Sequence, residues 1–361
     1  MTTPPTRATF FVPGPTWVRP EILSEMTRPM IGHRSSEFLD LFAGIQANLK
    51  PLFGTVQDTL IATCSGTAIL EAALINCVPR RMLVTTCGAF AERWLAIGES
   101  LGLEVDQLNA GWGNAVDPEA LADHLTSRRG HYDAVTITHN ETSTGVTNDV
   151  GALARVVRER SPGSLVLVDA VSSLGGIPVR FDEWELDVCL ASVQKGIALP
   201  PGITVFAVSA QALARAEKKR YRGTYFDFLN YKKHADDGSV PSTPSIPHFY
   251  ALARQLEDII NVETLDVRFR RHEAMRETTI RRTAAYATLA SDAAHASATV
   301  SALLPNLPAE QVRAQMKARG FTLGGGYGKW KTTTFRVGHM GDISLDDLNA
   351  MLDVLGEVAA P

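Results

Sequence analysis

Leu165-Val166-Leu167-Val168-Asp169 and, further on, Val188-Cys189-Leu190-Ala191-Ser192-Val193-Gln194-Lys195-Gly196 are two apolar runs that each break off into polar residues. Neither run alternates apolar with polar, so a strand formed there must be covered on both faces. The same pattern recurs at 82–86, 134–138 and 204–208, with amphipathic stretches between. Buried strands separated by helix-forming segments predict an α/β core with a mostly parallel central sheet between helix layers.

The intervening segments support that reading. Residues 118–127 and 150–159 each have one apolar face, and the first opens with Asp117 as N-cap and Pro118 at the first helical position. Beyond Pro244, the apolar residues Ile246, Phe249, Tyr250, Ala253, Leu256 and Ile260 fall at three- and four-residue spacing, which predicts a helix with one buried face. The Arg-rich stretch 267–282, with Glu and His interspersed, reads as a solvated helix.

Composition narrows the function. The chain has 361 residues, 45% hydrophobic, with 35 Lys and Arg against 39 Asp and Glu. A net charge of -4 gives no general attraction to nucleic acid or anionic membranes, which leaves small-molecule chemistry as the expectation. No apolar run approaches the roughly 20 residues of a bilayer span, and the first residues lack a signal-peptide core, so the expected compartment is the cytoplasm. Four scattered cysteines, Cys64, Cys77, Cys87 and Cys189, show no CxxC spacing and predict neither disulfide nor metal.

In an open α/β sheet, ligands bind beyond the carboxyl ends of the strands. The residues there are polar: Cys87-Gly88, His139-Asn140-Glu141-Thr142, Asp169 and Gln194-Lys195. Asp169 alone could cap a turn or ligate a metal. Ser65-Gly66-Thr67 precedes a strong helix former, 68–74, so its hydroxyls and the helix N–H groups serve either as an ordinary N-cap or as a phosphate cradle.

In order along the chain stand Pro13-Gly14-Pro15, Ile31-Gly32-His33-Arg34-Ser35, Ser65-Gly66-Thr67 and Leu70-Glu71-Ala72-Ala73-Leu74. They are followed by His139-Asn140-Glu141-Thr142-Ser143-Thr144-Gly145, Val168-Asp169-Ala170-Val171-Ser172-Ser173-Leu174-Gly175-Gly176, Ser192-Val193-Gln194-Lys195-Gly196 and Phe335-Arg336-Val337-Gly338-His339-Met340-Gly341. Over nearly its whole length the sequence resembles the class-V aminotransferases of the fold-type I pyridoxal phosphate enzymes, on the alanine:glyoxylate and serine:glyoxylate side. The resemblance implies an N-terminal arm (1–20), a large cofactor-binding domain (21–260) and a smaller C-terminal α/β domain (261–361). It also implies a homodimer with shared active sites.

By the same resemblance Lys195 is the lysine that bonds to the cofactor and carries the proton, and Asp169 is the partner of the pyridine nitrogen. Ser65, Gly66 and Thr67 match the phosphate cup, Gln194 a polar contact to phosphate or ring oxygen, and Thr142 the hydroxyl beside the phenolic oxygen. Phe90 and Val171 match the two sides of the ring, with simple core packing as the lesser alternative for Phe90. Thr243 resembles a residue that reaches the neighbouring subunit's cofactor phosphate; Val240 stands where relatives carry a tyrosine. Arg336 resembles the ligand of the substrate α-carboxylate.

His33 and Arg34 match a pair at the pocket border, and Tyr225 and Phe226 either line the pocket or pack. Gly324-Gly325-Gly326-Tyr327-Gly328 predicts a mobile loop at the site entrance. The expected reaction moves an amino group from serine or alanine to glyoxylate or another small 2-oxo acid by a ping-pong route. An aspartate or aminoethylphosphonate transaminase, a lyase, and a non-catalytic relative remain alternatives. A cysteine desulfurase is disfavoured because no cysteine follows Cys189.

Overall fold

The computed structural model describes residues 8–127 and 131–359, so the first seven residues of the expected arm lie outside the described residues. In chain order the strands are β1 (Phe10–Phe11), β2 (Thr59–Ala62), β3 (Arg81–Thr86), β4 (Glu104–Asn109), β5 (Ala134–Thr138), β6 (Asn140–Glu141), β7 (Val146–Thr147), β8 (Leu165–Asp169), β9 (Val188–Ser192), β10 (Thr204–Val208), β11 (Ala287–Leu289), β12 (Val300–Pro305), β13 (Thr322–Gly325) and β14 (Phe335–Gly338). The large sheet has the order β2-β10-β9-β8-β5-β3-β4. Strands β4, β3, β5, β8 and β9 are parallel, and β10 runs against both of its neighbours. All five apolar runs read from the sequence are strands of this sheet.

Both faces are covered, as continuous apolarity requires. Val166 and Val168 enter one core with Phe42, Leu153 and Phe249, whereas Leu165 and Leu167 point the other way into a core with Leu70, Trp94 and Phe228. The alternation of side chains along a strand thus feeds two helix layers from one sequence run. Helix Pro118–Ser127 starts as expected, with the Asp117 carboxylate accepting from the Glu119 N–H at 3.0 Å.

A second sheet, β1-β13-β14-β12-β11, packs its own core around Met275, Leu303, Phe335, Val337 and Leu352. The N-terminal Phe10–Phe11 pair runs parallel to β13, so this segment is stitched to the smaller sheet. Two glycines of the expected entrance loop, Gly324 and Gly325, belong to β13 and pair with β14.

The Arg-rich helix is not solvated all round. Leu265–Thr283 buries Arg268, His272, Met275, Thr279 and Thr283. The arginine count suggested solvent exposure, but Arg268 finds a hydrogen-bond acceptor for every guanidinium nitrogen and can therefore be buried. No described helix is long and apolar enough to cross a membrane.

Candidate active site

The carboxyl ends of β8 and β9 and the loop after β3 converge on a cavity of about 340 Å³. Its wall contains Ser65, Gly66, Thr67, Phe90, Thr142, Asp169, Val171, Gln194 and Lys195. The fold thus brings together nine residues selected from the sequence, drawn from segments as far apart as Ser65 and Lys195.

One end of the wall is a helix start. Helix Gly66–Cys77 has Ser65 as its N-cap, yet the Ser65 side chain makes no capping hydrogen bond. A Cβ on Gly66 would come within 2.4 Å of the Ser192 Oγ, so glycine lets the backbone approach β9. Ser65, Gly66 and Thr67 all line the cavity, so a helix start, where N–H groups are left without intrahelical partners, forms part of its wall.

Asp169 ends β8. Its Oδ1 accepts from the Val171 N–H at 2.8 Å, and Oδ2 has no hydrogen bond among the described residues. Burial pushes the carboxyl up to about 6, against the pull of the Val171 N–H and Lys195. Burial, with the nearby Arg336, pushes the Lys195 amine down to about 8. An acid raised and a base lowered within one cavity is the electrostatic mark of a reactive site.

The lysine amine donates to the Pro13 carbonyl. Gly14 follows with φ +108, and a Cβ there would lie 2.4 Å from the Lys195 Nζ. The N-terminal segment therefore passes over the lysine at a point only glycine can occupy.

Phe90 forms a further wall. The Lys195 Nζ lies 5.9 Å from its ring centroid, Arg93 lies 4.5 Å from it, and Tyr327 stacks on it at 5.1 Å with 24° between planes. The Phe90 and Ala91 N–H groups donate to the buried Glu141 carboxylate, which also accepts from the Ser143 N–H and Oγ. Burial raises the Glu141 carboxyl, and these donors pull it back.

Arg336, on β14, is buried to 8% exposure. Its Nε donates to the Gly325 carbonyl at 2.7 Å and its Nη1 to the Thr142 carbonyl at 3.0 Å. Nη2 makes no hydrogen bond among the described residues. Burial holds the guanidinium down to about 10. The Thr142 Oγ1 donates to the Ser172 Oγ at 2.6 Å, which anchors the residue that links Arg336 to the cavity.

The remaining expectations fall elsewhere. Thr243 is exposed and does not line the cavity, and neither do His33 and Arg34. Ser35 instead caps helix Ser36–Phe53 through the Phe38 N–H. The Tyr225 hydroxyl donates to the Thr63 carbonyl at 2.7 Å. Of the glycine loop, Tyr327 stacks on the Phe90 ring of the cavity wall, while Trp330 beyond it makes an edge-on contact with Trp112.

Sequence reasoning assigned no role in this site to Arg93, Glu141 or Tyr327. A buried glutamate within the polar tail after β5 was visible as the unexplained charge in His139-Asn140-Glu141-Thr142. Nothing local marked Arg93, and Tyr327 was marked only through the glycine loop expected at the entrance. Cys64 is half-buried with its thiol pushed up to about 11, while Cys77, Cys87 and Cys189 are buried. No group of three or more potential metal ligands occurs among the described residues.

Comparison with known proteins gives a consistent picture. The aminotransferase class-V family pattern matches residues 21–327. A protein of Synechococcus sp. named as the small subunit of a soluble hydrogenase is 35% identical over 98% of this chain and 93% of its own. A serine–glyoxylate aminotransferase of Methylorubrum extorquens is 33% identical over 98% of this chain and 90% of its own. The solved alanine–glyoxylate aminotransferase of Nostoc sp. superposes with a TM-score of 0.91 at 27% identity, covering 99% of this chain and 97% of that one. The hydrogenase name finds no counterpart in the lysine-and-carboxylate cavity, whereas the aminotransferase names do. The chain belongs to the class-V aminotransferase family, enzymes of fold-type I that depend on pyridoxal phosphate.

Proposed function

We propose that the protein moves an amino group from serine or alanine to glyoxylate or another small 2-oxo acid, one half-reaction at a time. The observation that carries this reading is the convergence of the Lys195 amine and the Asp169 carboxylate in one cavity of about 340 Å³, with Arg336 joined to its wall through Thr142.

The residues fit the cofactor. Ser65, Gly66 and Thr67 offer hydroxyl and N–H donors for a phosphate, and Gln194 adds an amide nearby. Phe90 and Val171 supply two walls for a flat ring, and the Thr142 hydroxyl, turned from the Ser172 Oγ, would serve its oxygen. Asp169 has an unengaged oxygen for a protonated ring nitrogen, which would repay the cost of burying its charge. Pyridoxal phosphate, when bound, supplies the electron sink that makes the substrate Cα–H acidic.

The chain's own groups do the rest. The Lys195 amine, displaced toward neutrality by burial, would hold the cofactor until the substrate amine takes its place, and once freed it would take the Cα proton and return it. Arg336 holds the α-carboxylate through the N–H groups its carbonyl partners leave free, and so orients Cα toward Lys195. The stacked Phe90 and Tyr327 rings narrow the approach, which favours short side chains. Exposed Thr243 completes the phosphate cup of a second copy in a homodimer.

The test is a spectral titration of purified holoenzyme with serine, alanine, aspartate and aminoethylphosphonate. Serine or alanine should convert the visible band to the amine form at the lowest concentration. Preference for aspartate or the phosphonate would overturn the donor assignment, and bound cofactor without conversion by any donor would mark a non-catalytic relative.

A further inference from the structure

Helix Leu265–Thr283 sends one arginine into the junction between the two sheets. Arg268 is 1% exposed. Its Nε donates to the Gly175 carbonyl at 2.7 Å and its Nη2 to the Gly196 carbonyl at 2.7 Å. Gly196 is the residue directly after Lys195, and Gly175 lies in the turn that follows Asp169. One planar group therefore bridges the two turns that present the two reactive side chains.

These turns touch without side chains between them. Gly175 has φ +83, and a Cβ on it would come 2.9 Å from the Gly196 carbonyl carbon; a Cβ on Gly196 would come 2.3 Å from the Leu174 oxygen. With no room for side-chain packing, the separation of the two turns rests on the backbone contact and on the guanidinium.

The other side of the guanidinium is anchored in turn. Nη1 donates to Glu263 at 2.6 Å, and both Nη1 and Nη2 lie 3.1 Å from the Asp342 Oδ1. Asp342 also accepts from the Arg19 Nε at 2.6 Å and from Gln255, and Glu263 accepts from Arg271. Positive and negative groups alternate through the junction, so the buried charge of Arg268 is compensated. A rigid planar fork can satisfy two carbonyls and two carboxylates at once, which an ammonium cannot.

We propose that Arg268 is a positioning residue for the reaction: it fixes the Lys195 amine relative to Asp169 by clamping Gly196 to Gly175, and it couples that spacing to the smaller domain through Asp342. The inference rests on the role given above to Lys195, but the first readout of its test needs no amino donor.

Three holoenzyme variants test it: Arg268→Lys, Asp342→Asn and Glu263→Gln. The first readout is the pH midpoint of the visible band of the lysine-bound cofactor, and the second is the single-turnover rate at saturating alanine. Arg268→Lys keeps a positive charge for the carboxylates but loses the double carbonyl bridge. It should displace the midpoint and slow the single turnover about tenfold to a hundredfold, with half-saturating alanine unchanged. Asp342→Asn should move both readouts in the same direction by less. Glu263→Gln, which alters a partner of Nη1 alone, the Arg268 nitrogen that holds neither carbonyl, should lower the melting temperature and leave the midpoint in place.

An unshifted midpoint and an unchanged turnover in Arg268→Lys would overturn the proposal. If that variant does not fold, the same null result in Asp342→Asn overturns it. Loss of the band in Lys195→Ala, with no conversion by any donor in wild type, would count against the transaminase reading and leave the midpoint comparison intact.

Discussion

The Nη1 of Arg336 donates to the backbone carbonyl of Thr142 at 3.0 Å, so the arginine of the smaller sheet is fastened to the residue whose side chain lines the central cavity. A second carbonyl, Gly325, fixes its Nε. The guanidinium is thereby set in one orientation before a substrate arrives, and the entropy of ordering it is already lost in the folded protein.

Arg336→Lys should therefore weaken donor binding more than it slows the bound complex. A charge-assisted hydrogen bond contributes about 1.5–3 kcal/mol, which corresponds to roughly tenfold to hundredfold in the half-saturating donor concentration. Half-reaction titrations with alanine check this. A variant whose half-saturation matches wild type would remove Arg336 from the carboxylate site.

The lysine should reveal its environment in the capture of cofactor by cofactor-free protein. Only the neutral amine attacks, and burial has lowered it from 10.5 to about 8. Between pH 6.5 and 9.5 the capture rate should rise about tenfold per unit below pH 8 and level off above it. Stopped-flow absorbance gives the profile, and a rate still climbing at pH 9.5 would show an ordinary lysine.

Asp169 should cost the cofactor-free protein stability at neutral pH. Its carboxyl is raised from 3.8 to about 6, so the folded form binds this proton more tightly than the unfolded chain. That contribution is fully present below about pH 4 and is lost as pH rises through 6. Asp169→Asn should thus stabilise the cofactor-free protein at pH 7.5 by up to about 3 kcal/mol, with the gain shrinking toward pH 4. Urea unfolding at both pH values measures it, and the same variant should bind cofactor poorly.

Gly14→Ala should disturb the lysine without touching the cavity floor. The new Cβ would meet the Lys195 Nζ at 2.4 Å, and φ +108 is unfavourable for alanine. Cofactor capture should slow by at least about tenfold, since a displacement of the order of 1 Å at a reacting group has that effect. Wild-type capture kinetics in this variant would show that the close approach is incidental.

Glu141→Ala should destabilise the protein by about 3 kcal/mol, because the N–H groups of Phe90, Ala91 and Ser143 lose their buried acceptor. Thermal unfolding at pH 7.5 checks the loss. Since those N–H groups set the Phe90 ring, cofactor affinity should fall with it.

Legibility along the chain followed burial. Strands covered on both faces read as unbroken apolar runs, and five of the six in the large sheet were visible; the sixth, β2, is equally buried but only four residues long. Strand β4, Glu-Val-Asp-Gln-Leu-Asn, was not, because it lies at the sheet edge with half its residues exposed and its composition polar. The helix Leu265–Thr283 misled for the opposite reason: composition counts charges but does not show that Arg268 has two carbonyls and two carboxylates waiting for it.

The cavity divides in the same way. Asp169, Lys195 and Ser65-Gly66-Thr67 stand at or just beyond strand ends or at a helix start, places that local periodicity locates; that pattern determined the α/β core, while the family and the roles expected of these groups came from the resemblance of the motifs. Tertiary structure decided what those groups experience. The Pro13 carbonyl lies against an amine far along the chain, Tyr327 stacks on Phe90 from the segment after β13 of the smaller sheet, and the contact of Arg268 with Gly175 and Gly196 exists only once two sheets have packed. Such contacts depend on the path of the whole chain, and no window of residues around any one of them records it.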